Sequence, residues 1–158
     1  MKTWNGKAIV NAGPYMIIQM DASSRGWGAY LEGRPTSAGI NGLWSLKESS
    51  LQINCLELKV AELAVKTFVK TRESIYIHLK MENISALTHI NKMGGTRSQQ
   101  LTQITKSLWE FCLKKKIHLS AKYLPGSKNR IADALSRHYQ DSSNWKLNTQ
   151  LFHQINKQ

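Results

Sequence analysis

A chain of 158 residues is large enough to enclose one sheet-and-helix core and asks for no second domain. Its 22 Lys and Arg against 10 Asp and Glu give a formal net charge of +12, which favours a polyanionic partner, nucleic acid above all, over a merely soluble basic protein or one that touches acidic membrane. The apolar runs are too short to cross a bilayer, and Met1 to Lys7 lacks the apolar stretch of a secretory signal. No membrane partner is therefore expected, and an intracellular setting is, in cytoplasm or nucleus.

Residues 1–14 read as a connecting segment ahead of a domain over 15–138. Tyr15 to Asp21, Gly28 to Leu31 and Gly42 to Ser45 have strand character and are separated by turns at Ser23-Ser24-Arg25-Gly26 and Gly33-Arg34-Pro35-Thr36-Ser37, so they predict an antiparallel meander. Cys55 to Val69 follows as a helix. With Leu56, Val60, Leu63 and Ala64 on one stripe and Leu58, Ala61, Val65 and Phe68 on the next, it should be largely buried.

Ile75 to Met81 alternates at strand period. A short helix from Ile84 to Asn91 is capped by Asn83, Gly94-Gly95-Thr96-Arg97 breaks the chain, and Ser98 caps a longer helix bearing Leu101, Ile104, Leu108 and Phe111 on one face. Ile117 to Leu124 is the last strand, and Pro125-Gly126-Ser127 turns into a helix from Asn129 to His138. The order βββαβααβα predicts an α/β fold: a mixed five-stranded sheet, three strands antiparallel and then two parallel, flanked by helices. In the tail, 139–158, Leu147, Leu151 and Ile155 recur at helical spacing and suggest a short docking helix. Cys55 and Cys112, the only cysteines, sit in apolar helical patterns and predict free buried thiols.

Four of the few acids fall at informative places. Asp21 ends the first strand, Glu57 lies at the start of the buried helix, Glu82 closes the strand after Met81, and Asp133 lies on the last helix. If they converge, mutual repulsion returns protons to them unless cations sit between them. A metal cluster in a basic protein predicts phosphodiester chemistry. Taken singly, each acid has a plainer role: Asp21 suits a turn, Glu57 has capping-box spacing from Asn54, and Asp133 complements a helix dipole.

Asp21-Ala22-Ser23, Gly26-Trp27-Gly28-Ala29, Leu56-Glu57-Leu58, the run from Ile90 to Ser98, and Leu124-Pro125-Gly126 through Ala132-Asp133-Ala134-Leu135-Ser136-Arg137 together resemble the ribonuclease H domain of retrotransposon polyproteins. The Gly-Gly-Thr-Arg-Ser and Ala-Asp-Ala-Leu-Ser-Arg segments resemble the gypsy-like and tyrosine-recombinase (DIRS-type) elements. The resemblance covers about Met16 to Arg137 and extends to Trp4-Asn5-Gly6-Lys7 and Trp145-Lys146-Leu147-Asn148. It implies a piece of a longer polyprotein downstream of a reverse transcriptase domain, which becomes an expected partner.

The resemblance also implies a ribonuclease H-like fold and cleavage of the RNA strand of RNA/DNA hybrids. Asp21, Glu57, Glu82 and Asp133 would be catalytic and would hold two Mg²⁺ ions, with Mn²⁺ as an alternative. Ser23, Asn54, Asn83, Thr96, Arg97 and Ser98 would contact nucleic acid. Asn54 would reach the minor groove, where the RNA 2′-hydroxyl marks the strand, and the Gly-Gly-Thr-Arg-Ser segment would take a phosphate of the DNA strand. Two departures from the family pattern stand out. Glu82 replaces the usual Asp, a side chain longer by about 1.5 Å, which leaves a weakened or inactive hybrid-binding domain as the alternative. The stretch Tyr123 to Arg130 lacks the His that cellular enzymes carry there. An integrase of the same broad fold fits less well, because it would place its last acid as Glu on a helix, whereas here Glu57 comes second.

Overall fold

The computed structural model describes residues 15–35, 39–93 and 98–137. The N-terminal segment, the Gly94-to-Arg97 turn and the tail helix read from the sequence lie outside the described residues. Strands β1 (Tyr15–Ala22), β2 (Gly26–Leu31) and β3 (Ile40–Leu43) form the meander. Helices α1 (Leu46–Ser49) and α2 (Ile53–Val69) lead to β4 (Tyr76–Met81). Helices α3 (Ile84–Asn91) and α4 (Gln99–Lys114), strand β5 (His118–Tyr123), a 3₁₀ turn (Gly126–Lys128) and α5 (Arg130–Arg137) complete the order.

The sheet runs β3-β2-β1-β4-β5, with β1 antiparallel to β2 and parallel to β4, and β4 parallel to β5. Period-two alternation sets its faces. Met16, Ile18, Met20 and Ala22 of β1 and Ile77, Leu79 and Met81 of β4 point into a core shared with α2, whose Leu56, Leu58, Val60, Ala61, Ala64 and Val65 are almost wholly buried. The broad apolar girth of α2 thus has the burial that its pattern predicts. Cys55 and Cys112 are buried free thiols, and burial pushes the Cys112 thiol up to about 12. The outer edge of β5 is partly closed by Asn91, whose amide both donates to the Ala121 carbonyl (2.9 Å) and accepts from the Ala121 N–H (2.8 Å).

Several boundaries move for identifiable reasons. β3 ends at Leu43 and does not reach Ser45, because Ser45 caps α1: its Oγ accepts from Glu48 N–H (3.1 Å) while Glu48 Oε1 accepts from Ser45 N–H (3.0 Å). The expected Asn54–Glu57 capping box does not form. Helix α2 starts two residues earlier than expected with Gln52 as N-cap, so Asn54 is already inside it. Asn83 caps α3 at Ala86 N–H (2.8 Å) and Ser98 caps α4 at Leu101 N–H (3.3 Å), both as expected.

Helix α5 approaches β2 more closely than any side chain would allow. A Cβ added at Gly28 would lie 2.7 Å from both the Ala132 carbonyl oxygen and the Ser136 nitrogen and would overlap Leu135 Cβ; at Gly26 it would lie 2.9 Å from the Ser136 carbonyl oxygen. The last-turn carbonyls of α5 have no partners within the helix. Ser23 Oγ donates to the Ser136 carbonyl (2.8 Å) and Asn41 Nδ2 to the Leu135 carbonyl (3.1 Å). At the other end the buried Asn129 donates through Nδ2 to the Met20 carbonyl (2.9 Å), which holds it to β1 and lets the helix begin only after it. Gly28→Ala should therefore lever α5 off the sheet and cost about 1–3 kcal/mol, the usual cost of overpacking. Thermal denaturation should show a midpoint lower by several degrees, and an unchanged midpoint would contradict this packing.

Candidate active site

Because β1 and β4 are parallel, their C-terminal ends lie side by side. Gln19 pairs with Lys80, so two residues further on Asp21, on β1, and Glu82, just past the end of β4, come to the same end of the sheet. Crevices beyond the C-terminal ends of strands are the usual ligand sites of open α/β sheets. Glu57 comes to the same end from α2, its Oε1 accepting a long bond from Ala22 N–H (3.4 Å). Asp133 arrives on α5, where its Oδ1 accepts from Arg137 Nε at 2.9 Å, one turn on.

The electrostatics record this crowding. Burial pushes the Asp21 carboxyl up to about 6; the Asp133 carboxylate adds to the shift, while a hydrogen bond from Ser136 and the charge of Arg137 oppose it. Burial pushes Glu57 up to about 8, with Asp21 and then Glu82 raising it further and the Ala22 N–H opposing. Glu57 Oε2 is buried without a hydrogen-bond partner. A buried acceptor in that state calls for a proton or a cation.

The coupling runs in pairs: Asp21 with Asp133, Asp21 with Glu57, and Glu57 with Glu82. Among the described residues, no three His, Cys, Asp or Glu side chains are arranged to grip one ion together. The donor chemistry, carboxylate oxygen throughout with one buried oxygen unsatisfied, fits a hard divalent cation. Glu82 is exposed, and its carboxylate lies directly over Gly126, where a Cβ would stand 2.7 Å from Oε2 and 3.0 Å from Oε1. Gly126 has no side chain for the Glu82 carboxylate to meet.

The remaining expected contacts divide. Asn54 and Asn83 meet, Asn83 Nδ2 donating to Asn54 Oδ1 at 2.9 Å. Ser23 is buried, and its hydroxyl contacts Gly26 and Ser136, so its side chain faces the protein and not a bound strand. Ser98 serves as the α4 cap, and Thr96 and Arg97 lie outside the described residues. Two residues were missed from the sequence. Ser136 Oγ lies 2.8 Å from both Asp21 Oδ2 and the Asp133 carbonyl, so its one proton can go to either. Asn129 anchors the start of α5 beside Asp21. The three-residue spacing from Asp133 to Ser136 on one helix face was the available signal.

No family model and no curated protein matches this chain. Among solved structures, ribonuclease H1 from the halophilic archaeon Halobacterium salinarum superposes with a TM-score of 0.67 at 16% identity, over 81% of this chain and 98% of that one. The N-terminal RNase H domain of rv2228c from Mycobacterium tuberculosis gives a TM-score of 0.65 at 14% identity, over 85% and 99%. LC11-RNase H1, solved in complex with an RNA/DNA hybrid, gives 0.62 at 14% identity, over 76% and 92%. The chain thus has the ribonuclease H-like fold, with the mixed five-stranded sheet and flanking helices expected from its sequence.

The raised carboxyls carry a pH signature. Folded-state values near 6 for Asp21 and 8 for Glu57, against ordinary values of 3.8 and 4.5, mean that the folded protein binds more protons than the unfolded chain between about pH 4 and 8. Stability is then greatest below the ordinary values and is lost as pH rises through the folded ones. Calorimetry in chelator should show the melting temperature falling from pH 4.5 to 8, with the fall reduced in Glu57→Gln, most of all above pH 6, and the part below it that Asp21 supplies retained. A flat or rising profile in the parent would contradict the burial of these groups.

Proposed function

We propose that this domain is an endoribonuclease that cleaves the RNA strand of RNA/DNA hybrids, acting within the reverse transcription of a retroelement beside a reverse transcriptase domain of the same polyprotein. The observation that carries the reading is the gathering of Asp21, Glu57, Glu82 and Asp133 at one sheet end, with a buried unsatisfied oxygen on Glu57, in a chain of net charge +12. The fold, shared with proteins named as ribonucleases H, supports it.

In this reading the four carboxylates hold divalent cations, Mg²⁺ first and Mn²⁺ as the alternative. Such ions, when bound, activate an attacking water and neutralise charge on the departing oxygen. The chain's own residues set up that chemistry. Ser136 steadies Asp21 and Arg137 steadies Asp133, fixing the orientation of the two acids that face each other. The Asn54–Asn83 amide pair, at the start of α2 and the cap of α3, contacts the hybrid beside the carboxylates and reads the 2′-hydroxyl. The Lys and Arg excess supplies affinity for the phosphates.

A second reading, a hybrid-binding domain with weak or no cleavage, is favoured by one observation: no three of the described acids yet form a common cage. Incubation of labelled hybrid with Mg²⁺ or Mn²⁺ separates the two. On the leading reading, Asp21→Asn lowers RNA cleavage by about a thousandfold or more, the size expected when several kcal/mol of transition-state stabilisation is lost. Hybrid binding by the same variant stays intact and falls steeply with salt. Cleavage that survives the substitution would remove Asp21 from the site, and a parent that binds hybrid but cleaves with neither ion would leave the binding module as the function.

Glu82 gives a separate check. Since the Glu82 carboxylate lies directly over Gly126, Glu82→Asp withdraws it by about 1.5 Å and should slow cleavage about tenfold or more. A faster Glu82→Asp enzyme would show that the native side chain is a handicap.

A further inference from the structure

The sheet has two faces, and among the described residues the one opposite the core is only partly covered. α5 packs there against β1, β2 and β3. The outward side chains of β4 and β5, and those of β1 away from Asp21, are exposed or half-buried. Their registers place them in rows. Tyr15, Tyr76 and His118 stand level across the three parallel strands, then Ile17, His78 and Ser120, then Gln19, Lys80 and Lys122. Two residues beyond the last row come Asp21 and Glu82, so this face leads directly to the carboxylates.

The chemistry of the rows is one-sided. The first presents three flat rings: Tyr15 is 58% exposed, His118 is exposed, and the Tyr76 and His118 rings lie 5.1 Å apart. Tyr15 also meets His78 edge-on, and the His78 Nδ1 is fixed by Ser120 Oγ at 2.7 Å. The third row is cationic. Glu32, the acid beside it, is already paired with Lys80 at 2.8 Å and accepts from Gln19, which leaves Lys122 without a carboxylate among the described residues. The cations also act on each other: after burial, His118, Lys122 and Lys80 all lower the pKa of His78. Solvated sheet faces gain from cross-strand pairs of opposite sign, and rings gain from burial. A row of open rings next to surplus positive charge gains from neither, and it has the composition of a surface that stacks bases and holds phosphates.

We propose that the open face of β1, β4 and β5 is a second nucleic-acid site, which takes single-stranded nucleic acid by stacking bases on Tyr15, Tyr76 and His118 and holding a phosphate on Lys122, the cation of the third row that Glu32 does not neutralise. At about 3.3 Å per residue, the ring row lies about 20 Å from Asp21 along the strands, and the cationic row about 7 Å from it. A strand that has left its duplex near the carboxylates meets the cations first and the rings next. This binding does not rest on the cleavage reading, since it needs neither metal nor an intact duplex.

Fluorescence anisotropy on the full chain tests it, with labelled oligothymidylate as the single strand, blunt RNA/DNA hybrid as the duplex and polyglutamate as a polyanion without bases. Tyr76→Val and His118→Val keep strand-forming side chains while removing the rings, and each should weaken oligothymidylate binding at least about fivefold. Lys122→Ala should lower the slope of log affinity against log salt by about one. Tyr76→Phe should bind like the parent, all variants should melt within a few degrees of it, and blunt hybrid binding should change less than about twofold. The proposal is overturned if the parent does not bind oligothymidylate, or if the ring variants fold and bind it as the parent does. Equal losses of oligothymidylate and polyglutamate would overturn it in favour of an acidic protein partner.

Discussion

The contact between α5 and β2 is the constraint on which the site depends. Gly26 and Gly28 have no Cβ, so the backbone of Ala132 and Ser136 rests directly on the strand, and Gly28 pairs with Asp21 on β1. That approach brings Ser136 within 2.8 Å of the Asp21 carboxylate and sets Asp133 against it. An ordinary helix-on-sheet distance would leave two separate surface acids, each in water with little effect on the other. The glycines therefore act on the candidate site through geometry alone, and Ser23, Asn41 and Asn129 hold the helix in place through hydrogen bonds to backbone carbonyls.

What results is an electrostatic conflict held in place by packing. Asp21 and Glu57 sit where burial and like charge both favour the neutral acid, in a protein whose net charge draws anions toward it. A structure that only stabilises the core would not choose this arrangement; a hydrophobic residue at the buried position 57 would carry no carboxylate to desolvate. Groups displaced this far from their ordinary protonation, at the C-terminal end of parallel strands, mark functional chemistry more often than structural accident.

Most of the fold was legible because its signals are local. The alternation in Tyr15 to Asp21 and Ile75 to Met81, the apolar girth of α2, and the caps at Asn83 and Ser98 all appear in the structure within a residue or two. The misreadings arose where two local signals compete. Trp44-Ser45 looks like strand, but Ser45 with Glu48 is a better cap, and Asn54 with Glu57 looks like a cap while both side chains serve long-range partners. Of the candidate site, the places of the four acids at element ends were legible. Ser136, Asn129 and Gly126 were not, because their importance comes from contacts more than a hundred residues away or across the sheet, as between Ser136 and Asp21 or Gly126 and Glu82. The reverse holds for Ser23, whose hydroxyl is directed inward by a contact with Ser136 that its sequence neighbours do not reveal.

The open face of β1, β4 and β5 extends this picture, for the same registers that bring Asp21 and Glu82 to one end of the sheet also align the cations and rings behind them. The cleavage reading rests on the carboxylates being held together in the folded protein and needing positive charge between them. Carbon-13 NMR of the side-chain carboxyls, titrated with pH in chelator and again in magnesium, tests that need most directly. The account predicts midpoints near 6 for Asp21 and near 8 for Glu57 without metal, both falling into or below the ordinary carboxylate range when magnesium is present. Midpoints near 4 in chelator, or raised midpoints that magnesium does not move, would contradict it.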